Sequence, residues 1–128
     1  MDQIKLGFIG LGGRGAGLAN LVARMEDVHI AAVCDVYQDR IDKKIEDLQK
    51  QQGYRADGYT DYHELLARGD LQGVVIASSW TTHVEISLAA MRAGIYAASE
   101  VGGASSIQEC WELVRVSEKT GVPFMLLE

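Results

Sequence analysis

Three glycines spaced as G-x-G-x-x-G, in Gly10-Leu11-Gly12-Gly13-Arg14-Gly15, follow the apolar run Ile4-Lys5-Leu6-Gly7-Phe8-Ile9 and precede an amphipathic helical pattern. The chemistry available to such a stretch is anion binding. The first glycine permits a tight turn, the second lets a dinucleotide pyrophosphate approach the backbone, and the third lets helix pack on strand. The helix that follows aims free N–H groups and the positive end of its dipole at the anion. With 14 glycines in 128 residues the spacing can arise by chance, so the strand before it and the helix after it carry the argument.

Twenty residues after Gly15, Asp35 ends the next apolar run, His29-Ile30-Ala31-Ala32-Val33-Cys34. A carboxylate there can accept hydrogen bonds from both hydroxyls of an adenosine ribose, and it repels a 2′-phosphate by about 1 to 4 kcal/mol at roughly 4 Å. That favours NAD over NADP. The competing explanation for Asp35 is a turn or helix-capping role. A third polar group, Ser78-Ser79-Trp80-Thr81-Thr82-His83, follows the apolar run Gly73–Ala77. Thr82-His83-Val84-Glu85 reads as a capping box with Thr82 as N-cap, which accounts for the threonine. An exposed loop tryptophan has no such structural excuse, and Trp80 is expected to cover a ring of bound cofactor, with His83 beside it at the helix mouth. Glu100 leaves the fifth apolar run and Glu128 follows the sixth. His63 is better explained as a surface or capping histidine. The three histidines show no ligand spacing with Cys34 and Cys110, so no metal is expected and both cysteines read as buried thiols.

The elements that hold these groups follow from periodicity. Leu18, Leu21, Val22 and Met25 form the apolar stripe of the first helix. Ile41, Ile45 and Leu48 do the same for a helix over Gln38–Gln52, with Asp39/Lys43 and Glu46/Lys50 as i, i+4 pairs, and Gly53 stops it. Tyr54–Gly58 turns the chain into a short third strand at Tyr59, and Asp61 with Glu64 caps a brief helix that ends at Gly69. Gly73–Ala77 is a buried strand, and Val84, Leu88 and Met91 mark a helix that stops at Gly94. Ile95–Ser99 is the fifth strand. Ser106 and Glu109 form another capping box, Ile107, Cys110, Trp111 and Val114 the buried face of the last helix, and Phe124–Leu127 the sixth strand after Gly121 and Pro123.

Alternation of strand and helix predicts an α/β domain over residues 1–128, a doubly wound parallel sheet of about six strands with helices on both faces. Ligands bind such sheets outside the carboxyl ends of the strands. Those ends carry Gly10, Asp35, Ser78-Ser79-Trp80, Glu100 and Glu128, so one edge collects nearly every candidate. A net charge of −6 with no basic patch argues against nucleic acid or an anionic membrane as partner. Neither a signal sequence nor a membrane-length apolar run is present, and a cytoplasmic protein is expected.

Together, the glycine loop, Asp35, the stretch Tyr59-Thr60-Asp61-Tyr62-His63-Glu64-Leu65-Leu66 and Glu100 resemble the Gfo/Idh/MocA oxidoreductase family along the whole chain. The resemblance implies an N-terminal Rossmann domain that binds NAD or NADP. It also implies a second, C-terminal domain, not in this chain, that supplies contacts to a small-molecule substrate and most homo-oligomer interfaces. The family loop after the fourth strand, Thr-Pro-Asn-x-x-His, is matched by Ser78-Ser79-Trp80-Thr81-Thr82-His83, which keeps the histidine and implies cofactor contacts by Ser78, Ser79 and Trp80. The family sequence Glu-Lys-Pro after the fifth strand is here Glu100-Val101-Gly102. The lysine assists proton transfer, and a positioned acid or base contributes about 10² to 10⁴ in rate.

The run Glu100–Ala104, together with Glu109–Val114 and Met125–Glu128, looks more like the NAD-dependent glycosidase branch, which oxidises its sugar transiently. The expected function is therefore the NAD-binding domain of an oxidoreductase that moves hydride on a sugar or polyol-like substrate, unable to turn over alone, with its catalytic residues unknown. The alternatives are the same domain in a redox-assisted glycosidase and a non-catalytic NAD-binding module. S-adenosylmethionine remains a minor alternative cofactor because it uses the same strand, loop and helix logic.

Overall fold

The computed structural model describes residues 2–128. Apolar runs bounded by glycine and polar loops become six strands: β1 (Ile4–Ile9), β2 (Val28–Cys34), β3 (Asp57–Tyr59), β4 (Gly73–Ile76), β5 (Tyr96–Ser99) and β6 (Phe124–Leu126). Between them run α1 (Gly13–Val22), α2 (Gln38–Gln52), α3 (Tyr62–Leu66), α4 (His83–Arg92) and α5 (Ile107–Thr120). All five strand pairings are parallel, in the order β3-β2-β1-β4-β5-β6. This is the expected doubly wound Rossmann sheet. Strand order reverses between β1 and β4, and the glycine loop leaves β1 at that switch point, where doubly wound sheets place their ligands.

Two hydrophobic clusters cover the two faces of the sheet. Phe8, Ile30 and Val33 pack with Ala19 of α1 and with Ile41, Ile45 and Leu48 of α2. Ile9, Val74, Ile76 and Ala97 pack on the other face with Leu65, Leu66, Val84, Leu88, Met91 and Leu113. Because central strands are covered on both sides, β2 and β4 have to be apolar at nearly every position. The stripes expected for α2 and α4 are buried as the spacing predicts.

The stripe expected for α1 packs only in part, with Leu18 and Val22 partly buried against the core. Gly15, Ala19 and Ala23 face the sheet, whereas Leu21 and Met25 are exposed and Met25 lies past the helix. Close approach of helix to strand at a glycine loop selects small residues, and a second row of larger ones at helical spacing is left outside. A similar inversion affects α5. Leu113 and Val116 reach the core, while Ile107, Cys110, Trp111 and Val114 are exposed, Ile107 by 77%. The outer strand β6 is only three residues long, so it gives α5 a narrow surface to cover.

Two capping boxes also differ in detail. Trp80–Thr82 forms a 3₁₀ turn that leads into α4, and Thr82 makes no side-chain cap. Ser106 does cap Glu109 N–H, but the Glu109 carboxylate takes the Ser105 N–H and hydroxyl instead of closing the box on Ser106. Of the two surface pairs expected on α2, Glu46–Lys50 forms at 3.2 Å. Lys44, unremarked in the periodicity, is buried and donates to Asn20 Oδ1 and the Ala16 carbonyl, fastening α2 to α1. Cys34 is buried as expected, and burial followed by the nearby Asp35 charge pushes its thiol up to about 12.

Candidate functional site

Sharp constraints hold the glycine loop in place. Gly10 has φ +96°, and a Cβ there would lie within 2.5 Å of the Ala77 carbonyl group and the Ser78 nitrogen. At Gly15 a Cβ would collide with the Gly10 carbonyl oxygen. These two glycines are demanded by the protein itself. Gly12 and Gly13 are not: a Cβ at Gly13 meets nothing within 4 Å, and one at Gly12 meets only Arg40 Nη1, at 3.6 Å. Gly12 is the N-cap of α1 and brings no side-chain cap, and the space in front of Gly13 is open. An uncapped helix start fronted by open space fits a pyrophosphate.

Asp35 sits at the end of β2, next to the loop. Leu11 N–H donates to its Oδ2 at 2.7 Å and Tyr37 N–H to its Oδ1 at 2.9 Å, while Arg40 Nη1 lies 3.7 Å from Oδ2. The bond to Tyr37 is an Asx turn, so the turn role weighed for Asp35 is real. The bond to Leu11 does more, because it ties the glycine loop to the second strand. Each carboxylate oxygen has a further lone pair, which leaves Asp35 able to accept from a ribose.

A cavity of about 660 Å³ opens beside Asp35, lined among others by Gly10, Gly12, Tyr37, Arg40, Ser78 and Ser79. A second, of about 490 Å³, is lined by Arg14, Ala77, Ser78, Trp80, His83, Glu100, Val101 and Glu128. Ala77 and Ser78 border both cavities, so the two share a wall beside Gly10. The strand ends thus bring Gly10, Leu11, Gly12, Asp35, Ser78 and Ser79 together on one side and Arg14, Trp80, His83 and Glu100 on the other.

The second cavity is built by its own hydrogen bonds. Arg14 Nε donates to Glu100 Oε1 at 3.0 Å, and Val101 N–H donates to Glu100 Oε2 at 3.2 Å. Burial pushes the Glu100 carboxyl up, but these two bonds and the charges of Arg14 and His83 outweigh it and hold the group below its ordinary value. His83 is only 1% exposed, and its Nε2–H donates to the Ser78 carbonyl at 2.9 Å. A carbonyl can only accept, so Nε2 carries a proton, and buried Nδ1 has no hydrogen-bond partner among the described residues. His83 therefore holds the Ser78 loop from beneath. The Thr82 hydroxyl donates to the Ser79 carbonyl at 2.7 Å, which leaves its oxygen to accept from Ser78 Oγ, also at 2.7 Å. Trp80 is 69% exposed and lies against Gly102, where a Cβ would come within 2.6 Å of two indole ring atoms. Gly102 also has φ +83°.

Sequence reasoning missed Tyr37, Arg40, Thr60, Tyr62 and Glu85, all on the wall of the first cavity. Arg40 lies over the Tyr37 ring, 4.7 Å from its centroid. A signal was available for two of them: residues that open the helix after a strand-end acid have to border the same edge as the acid. No helix of the described residues is long and apolar enough to cross a membrane.

Comparisons with known proteins agree with this geometry. The oxidoreductase family described as an NAD-binding Rossmann fold, Gfo/Idh/MocA, matches residues 4–127. A glycosyl hydrolase family 109 protein from a Shewanella species is 35% identical over all of this chain and 29% of its own length. An alpha-N-acetylgalactosaminidase from Shewanella oneidensis is 33% identical over the same 29%. The chain thus spans less than a third of these relatives. Among solved structures, a probable dehydrogenase from Thermotoga maritima has a TM-score of 0.87 at 25% identity, over 97% of this chain and 36% of that one. A scyllo-inositol dehydrogenase from Lactobacillus casei with bound NAD(H) and scyllo-inositol shares the fold, with a TM-score of 0.86 at 23% identity over 98% and 36%. With its glycine loop at the switch point of a six-stranded parallel sheet, the chain belongs to the Gfo/Idh/MocA oxidoreductase family as its NAD-binding Rossmann domain.

Proposed function

We propose that residues 1–128 hold NAD across the two adjacent cavities and present its nicotinamide to a sugar or polyol-like substrate. In this reading the adenosine ribose lies at Asp35. The pyrophosphate lies over Gly10, Leu11, Gly12, Gly13 and the first turn of α1, and the nicotinamide end lies among Arg14, Ser78, Ser79, Trp80 and Glu100, with His83 behind them. The observation that carries it is that both cavities are bordered by Ala77 and Ser78, which lie against Gly10 of the glycine loop. When bound, NAD supplies a hydride acceptor. The protein's own part is to orient it: Asp35 fixes one end and the Leu11 loop together, and the Arg14–Glu100 pair closes the wall of the other cavity.

Substrate contacts, proton transfer and any self-association are assigned to a second domain of the kind the family resemblance implies, so residues 1–128 alone are expected to bind cofactor without turnover. Its net charge of −6 and lack of a basic patch support a small-molecule partner over nucleic acid or an anionic membrane, and a cytoplasmic setting belongs to the same reading. Calorimetry of the chain with millimolar NAD tests the reading, and an absence of binding heat sinks it.

A second reading, a redox-assisted glycosidase, is favoured by two observations. Val101 stands where an oxidoreductase would carry a proton-transferring lysine, and the relatives at 33–35% identity are named as glycoside-cleaving proteins. Joining this domain to the remainder of the Shewanella oneidensis relative decides between them. Release of nitrophenol from a nitrophenyl N-acetylgalactosaminide without added NAD supports the glycosidase. Steady formation of NADH from a free sugar supports the dehydrogenase.

A further inference from the structure

The second cavity is lined by the acidic residues Glu100 and Glu128 and by Arg14 and His83, brought together from separate elements. Burial is uneven across the Arg14–Glu100 pair, whose side chains are 64% and 10% exposed. Water and salt screen an exposed guanidinium far more than a buried carboxylate, so the potential inside the cavity follows Glu100. Arg14 and the Val101 amide also keep that carboxylate ionised. Val101 itself adds no positive charge at the position where the family sequence has lysine.

Trp80 supplies the same polarity by other means. Its indole is exposed on the cavity and rests on Gly102, whose missing side chain lets the ring lie against the backbone. The face of an indole is the negative part of its quadrupole and attracts cations.

We propose that this cavity recognises the oxidised, cationic nicotinamide ring in preference to the neutral reduced ring, with the Glu100 carboxylate and the Trp80 indole as the discriminating groups. This rests on the placement of the nicotinamide end given above. The adenine, both riboses and the pyrophosphate are common to NAD⁺ and NADH, so a difference in affinity between them reports on the ring alone. The consequence is a domain that rests with NAD⁺ bound and in which a reduced ring is biased toward returning its hydride. Such a bias suits chemistry in which the substrate is oxidised only temporarily.

Calorimetry of the chain with NAD⁺, NADH and ADP-ribose tests the proposal. NAD⁺ is expected to bind about five- to tenfold more tightly than NADH, the scale of one cation–π contact with a partly screened charge. Trp80→Leu, at an exposed position, and Glu100→Gln should each shrink that ratio, and in Trp80→Leu, which leaves Arg14 and the glycine loop unaltered, ADP-ribose affinity should stay within about twofold. Equal or tighter binding of NADH to the unaltered chain overturns the proposal, as does a ratio that neither substitution moves. ADP-ribose binding without discrimination between the two dinucleotides defeats this inference alone. Failure to bind ADP-ribose defeats the placement of the cofactor as well.

Discussion

Arg14 and Glu100 are 86 residues apart in the chain and 3.0 Å apart in space, and their bond joins the first turn of α1 to the end of β5. It closes the cavity on the far side of Gly10 from Asp35. Because Glu100 is held below its ordinary value of 4.5, its ionised form is favoured by folding. The stability it contributes is present above the unfolded value and is lost as the pH falls through the lower folded one. Thermal unfolding of the chain and of Glu100→Gln should therefore differ at neutral pH and converge in acid. A gap that widens below pH 4.5 contradicts the assignment.

Asp35 is asked to bind both the protein and the cofactor. Asp35→Ala removes the acceptor of the Leu11 and Tyr37 amides and the proposed ribose contact together. NAD affinity should fall by about ten- to a hundredfold, the scale of one or two hydrogen bonds to a charged acceptor. NADP, no longer repelled and with Arg40 nearby, should gain relative to NAD. Titration of both dinucleotides checks this, and a preserved NAD preference in the variant counts against the role of Asp35.

The glycines of the loop should separate into two kinds. Gly15→Ala forces a Cβ into the Gly10 carbonyl oxygen and is expected to cost about 1 to 3 kcal/mol or more of stability. Gly13→Ala, in open space inside α1, should instead raise stability by roughly 0.5 to 1 kcal/mol. It should still weaken NAD, because the added methyl occupies the front of the uncapped turn. Denaturant unfolding paired with NAD titration distinguishes the two, and undiminished NAD binding by Gly13→Ala moves the pyrophosphate elsewhere.

At the opposite edge of the sheet, Arg68 makes two 2.9 Å bonds to Asp70, one of 2.7 Å to Asp57 and one of 3.1 Å to Tyr59. Lys5 adds a contact to Asp70 at 3.7 Å. This network pins the amino ends of β1, β3 and β4, away from both cavities. Arg68→Ala should cost about 1 to 3 kcal/mol of stability, the scale of lost charged hydrogen bonds, and leave the NAD dissociation constant unchanged at temperatures where the variant is folded. A large change in affinity would show that the two edges are coupled.

By itself the sequence determined the backbone plan. Apolar runs of strand length, separated by helical patterns and punctuated by Gly53, Gly94 and Gly121, admit only a parallel α/β sheet, and G-x-G-x-x-G before a helix fixes the turn from β1 into α1. Those signals are local, because period and turn chemistry act over a few residues. What only the tertiary structure decided is which of two rows on a helix meets the sheet. Both Leu21/Met25 and Ala19/Ala23 in and beyond α1, and both Ile107/Trp111/Val114 and Leu113/Val116 in α5, satisfy helical spacing, and the choice depends on how closely strand and helix approach. It likewise decided that Thr82 serves Ser79 rather than the helix, that His83 supports a loop, and that Trp80 finds its seat on Gly102. The first two contacts are local but depend on the path the loop takes after β4, and the third joins segments whose distance along the chain carries no information about their distance in space.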